Sequence, residues 1–265
     1  MTIEQILVLA LVQGLTEFLP VSSSAHLILL PELLGWSDQG LAFDVAVHVG
    51  TLLAVLTYFR TDIALLSGDW LKSLRQRVLV GQSALAWGVL IGTVPVGLVG
   101  ITCGELVEQY LRSPVVIALA TIGFGLVLWV AHVGGTRERD ERSLTFVDCF
   151  LIGVAQAAAL IPGTSRSGVT MSAALALGLT PAAAARFSFL LSIPVIVLAG
   201  GSKAHELMNT TVTVDWVGIG LGVVLSALSA YACIHWFLKF VTRVGLFPFV
   251  VYRMLLGTVL LYLYW

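Results

Sequence analysis

The sequence predicts an all-α polytopic membrane protein of two inverted-topology repeats, each a broken re-entrant helical hairpin followed by three transmembrane helices. Three observations predict it. Of the 265 residues, 58% are hydrophobic and only 11% charged, and the mean hydropathy of +0.98 exceeds what a water-soluble domain of this size carries. Six stretches are long and apolar enough to cross a bilayer, which takes about 20 residues per helix. Two further apolar regions are interrupted at their centres by proline, serine and charge, in LPVSSSAH and IPGTSRSG.

The first broken region covers about residues 3–34, and spans follow at about 41–59, 84–101 and 115–133. Pro20 ends a helix by removing a backbone donor and crowding the preceding turn, and Ser22 beyond it can cap the next helix. The second broken region covers about 146–180, with Pro162 in the part of Pro20 and Thr164 as the capping residue, and spans follow at about 187–201, 216–238 and 248–264. The chain thus divides into an N-terminal repeat, residues 1–145, and a C-terminal repeat, residues 146–265, within one membrane domain. Three spans after each hairpin start the second half on the opposite side of the bilayer. Pro20 to Ser24 aligns with Pro162 to Arg166 at an offset of 142, and Gln13 and Gln156 precede the two prolines at nearly equal distances. Irregular backbone at membrane depth is tolerated only where protein buries it or a wet cavity meets it, so each break predicts a polar chamber.

Arg60, Lys72, Arg75 and Arg77 crowd one connection, and Arg137, Arg139 and Arg142 crowd the connection two spans later, which places both in the cytoplasm. Residues 102–114, with Glu105 and Glu108 against Arg112, are then outside, as are residues 202–215. The net charge of −1 and the scatter of basic residues exclude nucleic acid as a partner. Cys103, Cys149 and Cys233 lie far apart with no metal or redox spacing and read as packing residues. No Lys or Arg precedes Arg60, so the first apolar segment is expected to stay in the protein and not to act as a cleaved leader.

The chemistry concentrates at the breaks. Gln13 and Glu17 share one face of the helix that Pro20 ends. Ser22, Ser23, Ser24 and His26 gather at the start of the next, where free N–H groups and the helix dipole favour an anion. Ser23 is a candidate nucleophile and His26 a proton carrier, while Glu17 can orient His26 or ligate a cation. In the second break Thr164, Ser165, Arg166, Ser167 and Thr170 repeat the pattern with a cation added. An arginine at membrane depth costs about 3 kcal/mol on insertion scales and needs an anion, either Glu17, Asp44 or a phosphate. Asp44 and His48 share a helical face that can line the same chamber.

The runs QGLTEFLPVSSSAH, Gln13 to His26, and PGTSRSGVT, Pro162 to Thr170, resemble the bacterial undecaprenyl pyrophosphate phosphatase family, as do LAFDVAVHVGTLLAVL and FPFVVYRMLLG. The resemblance implies hydrolysis of undecaprenyl (polyprenyl) pyrophosphate to the monophosphate and inorganic phosphate in a bacterial inner membrane, with the site open to the outer face. It implies catalytic roles for Glu17, Ser23, His26 and Arg166, and substrate contacts from Gln13, Ser22, Ser24, Thr164, Ser165, Ser167 and Thr170. It also implies a divalent cation, Mg2+ or Ca2+, with Glu17 and Asp44 as its ligands. Gln13 stands where many members carry glutamate, which removes one acid from any metal cage. Expected partners are the polyprenyl pyrophosphate, membrane lipids and, as an assembly the sequence allows, a second copy in a homodimer. Whether Ser23 attacks directly or His26 activates water is open at this level. The rival reading is a transporter or flippase of a phosphorylated lipid or small anion, because inverted repeats with broken helices also build transporters.

Overall fold

Thr2 and Thr145 open helices in the same way. Each accepts a hydrogen bond from the backbone N–H three residues on, and the side chain there, Gln5 or Asp148, returns a bond to the threonine's own N–H. These capping boxes satisfy donors that the first turn leaves unpaired. They start α1 (Ile3–Thr16) and α7 (Phe146–Ala157), the first arms of the two broken regions. The computed structural model describes residues 1–208 and 215–265, and among them the regular structure is helical.

The second arm of the first region is α2 (Ser23–Leu34), and that of the second is α8 (Arg166–Ala176). The three spans of the first half are α3 (Leu41–Tyr58), α5 (Ser83–Tyr110) and α6 (Pro114–Gly134); those of the second are α9 (Pro181–Met208), α10 (Trp216–Val244) and α11 (Phe247–Tyr264). Among the described residues these are the six helices long and apolar enough to cross a membrane, and they coincide with the six stretches expected from the sequence. The protein is an all-α polytopic membrane protein.

Two expectations change. The connection 60–83, expected to be a polar link, holds the helix α4 (Arg60–Gln76). The connection expected from residue 102 is helical to Tyr110, so α5 outruns the apolar stretch that revealed it. The expected outer connection 202–215 lies partly outside the described residues, as do the side chains of Glu105 and Glu108.

The packing brings the two breaks together, with Ser167 Oγ of the second donating to the carbonyl of Leu19 in the first. α1 lies on α10 and α7 lies on α5, while α3 meets α10 and α6 meets α11. At the α7–α5 crossing a Cβ on Gly153 would strike the backbone of Gly92, so only glycine permits that approach. The core beneath the first break is aromatic. Phe189 of α9 packs edge-on against Phe18 at 5.1 Å between ring centroids, and also meets Phe59 and Phe237. All four rings are buried, which pins the end of α1 to α9. The outer faces of the spans expose leucine, valine and aromatic side chains, the surface a lipid solvent requires.

Candidate active site

Each broken region stops and restarts by the same device. After α1 the chain passes Pro20, and Ser22 takes a positive φ of 72° with its Oγ accepting from the N–H of Ala25. After α7 and a short 3-10 turn over Ala158–Leu160 the chain passes Pro162 and Gly163. Ser165 then takes a φ of 71°, its Oγ accepting from the N–H of Gly168. In each case the capping Oγ also lies 3.2 Å from the Oγ two residues on, Ser24 or Ser167. Serine at positive φ is strained backbone, and it recurs here at both helix starts.

The cap of α8 is therefore Ser165 and not Thr164. The Thr164 hydroxyl is buried and has no hydrogen-bond partner among the described residues, and its N–H goes to the carbonyl of Ile161. The repeat offset between the caps is 143, one more than the motif alignment, so Ser23 corresponds to Arg166 and not to Ser165. The prolines misled the alignment because Pro162 stands one place ahead of the position that matches Pro20, which Gly163 fills. The equal spacing of Gln13 and Gln156 was the correct signal.

The first residues of α2 and α8 face a common cavity of about 400 Å³, lined among others by Glu17, Ser23, Asp44, His48, Ser165 and Arg166. Glu17 is its hub. Oε1 accepts from Arg166 Nη2 at 2.8 Å, and Oε2 accepts from Ser23 Oγ at 2.7 Å and from Gln13 Nε2 at 3.0 Å. His48 Nε2 stands 3.8 Å from the same Oε2, its Nδ1 bonded to the carbonyl of Asp44. Arg166 sends Nη1 to the carbonyl of Ser188 at 3.1 Å, and its guanidinium lies 5.9 Å from the centre of the Phe18 ring. Glu17 and Arg166 are almost wholly buried, at 8% and 12% side-chain exposure, so this ion pair is little screened by water. Arg112 and Lys203 also line the cavity, and Val96, Val195 and Ile196 of α5 and α9 add apolar lining.

The structure thus brings Glu17, Ser23 and Arg166 together, with Gln13 behind Glu17 and Ser22, Ser24, Ser165 and Asp44 on the cavity wall. Ser167 and Thr170 are drawn elsewhere. Ser167 Oγ donates to the carbonyl of Leu19, tying the two breaks, and Thr170 Oγ1 bonds Arg166 O and Ser188 Oγ. His26 departs most from expectation. Its Nδ1 bonds the carbonyl of Ser22 at 2.7 Å and its Nε2 bonds Tyr252 Oη, with the two rings stacked. It lines a separate apolar cleft with Leu29, Leu30, Leu33, Leu256 and Leu260, so Glu17 does not orient it. Three positions along a helix turn a side chain about 60° off the starting direction, enough to send His26 toward α11 while Ser23 faces Glu17. His48 is the histidine beside Glu17.

Glu17 and Asp44, the cation ligands that the resemblance implied, both line the cavity and both already accept hydrogen bonds. Both oxygens of Glu17 are engaged by donors, and Asp44 Oδ1 accepts from Gln39 Nε2 at 2.8 Å. Among the described residues no three side chains of His, Cys, Asp or Glu come together to hold a cation.

Residues 6–259 match the family described as bacitracin resistance protein BacA. The chain is 61% identical over 267 residues to undecaprenyl-diphosphatase 2 of Stutzerimonas stutzeri (strain A1501), covering 100% of this chain and 99% of the relative. It is 61% identical over 259 residues to the undecaprenyl-diphosphatase of Nitrosococcus oceani, covering 98% of each. It is also 53% identical over 264 residues to that of Campylobacter concisus (strain 13826), covering 100% of each.

Proposed function

The chain belongs to the BacA family, and on that premise we propose that it is a membrane phosphatase, hydrolysing undecaprenyl pyrophosphate to the monophosphate and inorganic phosphate. The observation that carries this reading is the convergence of a hydroxyl, a carboxylate and a guanidinium on one cavity, from two segments 149 residues apart. The same cavity has apolar lining, which suits the first isoprene units of a lipid whose headgroup meets the polar residues.

The geometry supports a direct attack by Ser23. Its hydroxyl already donates to Glu17, so Glu17 is placed to take the proton as Ser23 Oγ forms a bond to the terminal phosphorus. The bond from that phosphorus to the bridging oxygen breaks, and the lipid monophosphate leaves with the electron pair. Proton transfer also neutralises Glu17, which frees the Arg166 guanidinium to hold the charge gathering on the transferring phosphoryl group. The N–H groups at the starts of α2 and α8 add fixed positive poles on the same side. Water then attacks the phosphoserine, releasing phosphate and restoring the Ser23 hydroxyl, with Glu17 relaying the proton.

We place the protein in a bacterial inner membrane with the cavity open to the outer face. Arg112 and Lys203, which line it, adjoin the two connections that the charge pattern puts outside.

The test is phosphate release from a polyprenyl pyrophosphate by purified protein in detergent. Ser23→Ala and Arg166→Ala are each expected to lower turnover by about 100-fold or more, the scale of losing a group that acts only in the transition state. Full turnover by a folded Arg166→Ala protein would overturn the assignment. Transport without hydrolysis predicts no phosphate release at all, because a transporter needs two compartments and a phosphatase does not.

A further inference from the structure

Arg253 lies in α11, the last span, with none of its surface exposed. A guanidinium buried in a membrane bundle is tolerated only when its donors are met. Here backbone carbonyls meet them. Nε donates to Thr121 at 3.0 Å, Nη1 to Pro20 at 3.3 Å, and Nη2 to Gly163 at 2.9 Å and Ala120 at 3.4 Å. The Thr121 hydroxyl adds a second donor to the Gly163 carbonyl at 3.3 Å.

Two of these partners are equivalent positions. Pro20 and Gly163 stand at the offset of 143 that relates the capping serines, each two residues before its cap and three before Ser23 or Arg166. One side chain therefore joins the two breaks to each other and both to α6. It does so from behind, since Arg253 is not among the residues that line the cavity. A planar fork of five donors on three nitrogens spans carbonyls farther apart than the single nitrogen of an ammonium can reach.

From these contacts we infer that Arg253 is a positioning residue for the phosphatase site: by holding the chain just upstream of Ser23 and of Arg166, it sets the distance between the attacking hydroxyl and the group that fixes the phosphate. This inference rests on the proposed function. The contact of Ser167 Oγ with the Leu19 carbonyl also ties the breaks, so they stay together without Arg253 but lose their register. Misplacement of reacting groups by about 1 Å costs on the order of 100-fold in rate. Binding suffers less, because Arg166 keeps its place on α8.

The experiment compares Arg253→Lys and Arg253→Met with the wild type, measuring kcat and KM for a polyprenyl pyrophosphate per folded molecule, the folded fraction being read from size exclusion and thermal unfolding. The expected result is a graded loss, with kcat down about 10-fold for lysine, which reaches one or two carbonyls, and about 100-fold for methionine, with KM within threefold in both. Equal kcat for the lysine variant and the wild type, or equal kcat for lysine and methionine, overturns the inference, as does a loss confined to KM. Should neither variant fold, Thr121→Val decides the matter by removing one donor from Gly163 and leaving the guanidinium in place. A several-fold lower kcat at unchanged KM supports the inference, and an unchanged kcat overturns it. Absence of phosphate release by the wild type would instead be a failure of the proposed function.

Discussion

Glu17 accepts from Arg166 on one oxygen and from Ser23 and Gln13 on the other. Glu17→Gln keeps the shape and removes the charge, leaving Arg166 buried without its carboxylate. Breaking such a pair costs about 3 kcal/mol or more, so the variant should melt earlier as well as lose about 100-fold or more in turnover. Inorganic phosphate should then raise its unfolding midpoint more than that of the wild type, because the added anion replaces the missing carboxylate. An equal response of the two proteins to phosphate would argue against Arg166 as the anion-binding group. Sequence spacing made Glu17, Ser23 and Arg166 legible, since an acid and a serine flanking one break and an arginine in the other have few alternatives at membrane depth. It did not make His26 legible, because whether the offset of about 60° from Ser23 carries the ring out of the cavity depends on where α11 packs, which is a tertiary fact. Arg253 drew no reading from the sequence, although it lies inside an apolar span, because carbonyl partners leave no trace in a sequence.

The breaks themselves depend on backbone that few residues adopt. Gly163 has a φ of 93°, and a Cβ there would meet the backbone of Ile117 in α6. Gly163→Ala therefore combines strained backbone with a clash, for an expected loss on the order of 2–4 kcal/mol, measured as a lower unfolding midpoint in detergent. Gly123→Ala in α6 is the control, with open space around it and a helical backbone, and should be neutral or stabilising by up to about 1 kcal/mol. Matching losses at the two positions would remove the special role given to the second break. At this scale hydropathy located all six spans, because lipid-facing helices must be apolar along their length. It missed α4 and the far end of α5, because a helix outside an apolar stretch is sustained by its own backbone hydrogen bonds and needs no continuous apolar face. Leu66 and Ser73 of α4 face the protein, and the charge on the rest of the helix keeps its hydropathy below that of a span.

The two halves are related by more than their breaks. Thr2 and Thr145 carry the same capping box at the offset of 143 that relates Ser22 and Ser165, and α1 on α10 is matched by α7 on α5. On these correspondences we propose that residues 1–145 and 146–265 are inverted repeats. The orientation can be tested in a background with Cys103, Cys149 and Cys233 replaced by alanine. A cysteine at the exposed position Ser37, between α2 and α3, should react with an impermeant maleimide in intact cells. One at Gln76, at the end of α4, should react only after permeabilisation. The reverse pattern would invert the proposed topology and close the cavity to the outer face. The charge bias around Arg60 and Arg137 is what predicts this orientation, whereas for Arg166 the sequence offers Glu17, Asp44 or a phosphate and only the fold selects Glu17. That pairing has a consequence for turnover. A guanidinium that already grips a carboxylate must be won over by each arriving phosphate, and the carboxylate reclaims it as soon as the phosphate loosens. The protein thus carries a permanent internal competitor for its own anion site, one that weakens the hold on substrate but hurries the spent phosphate out.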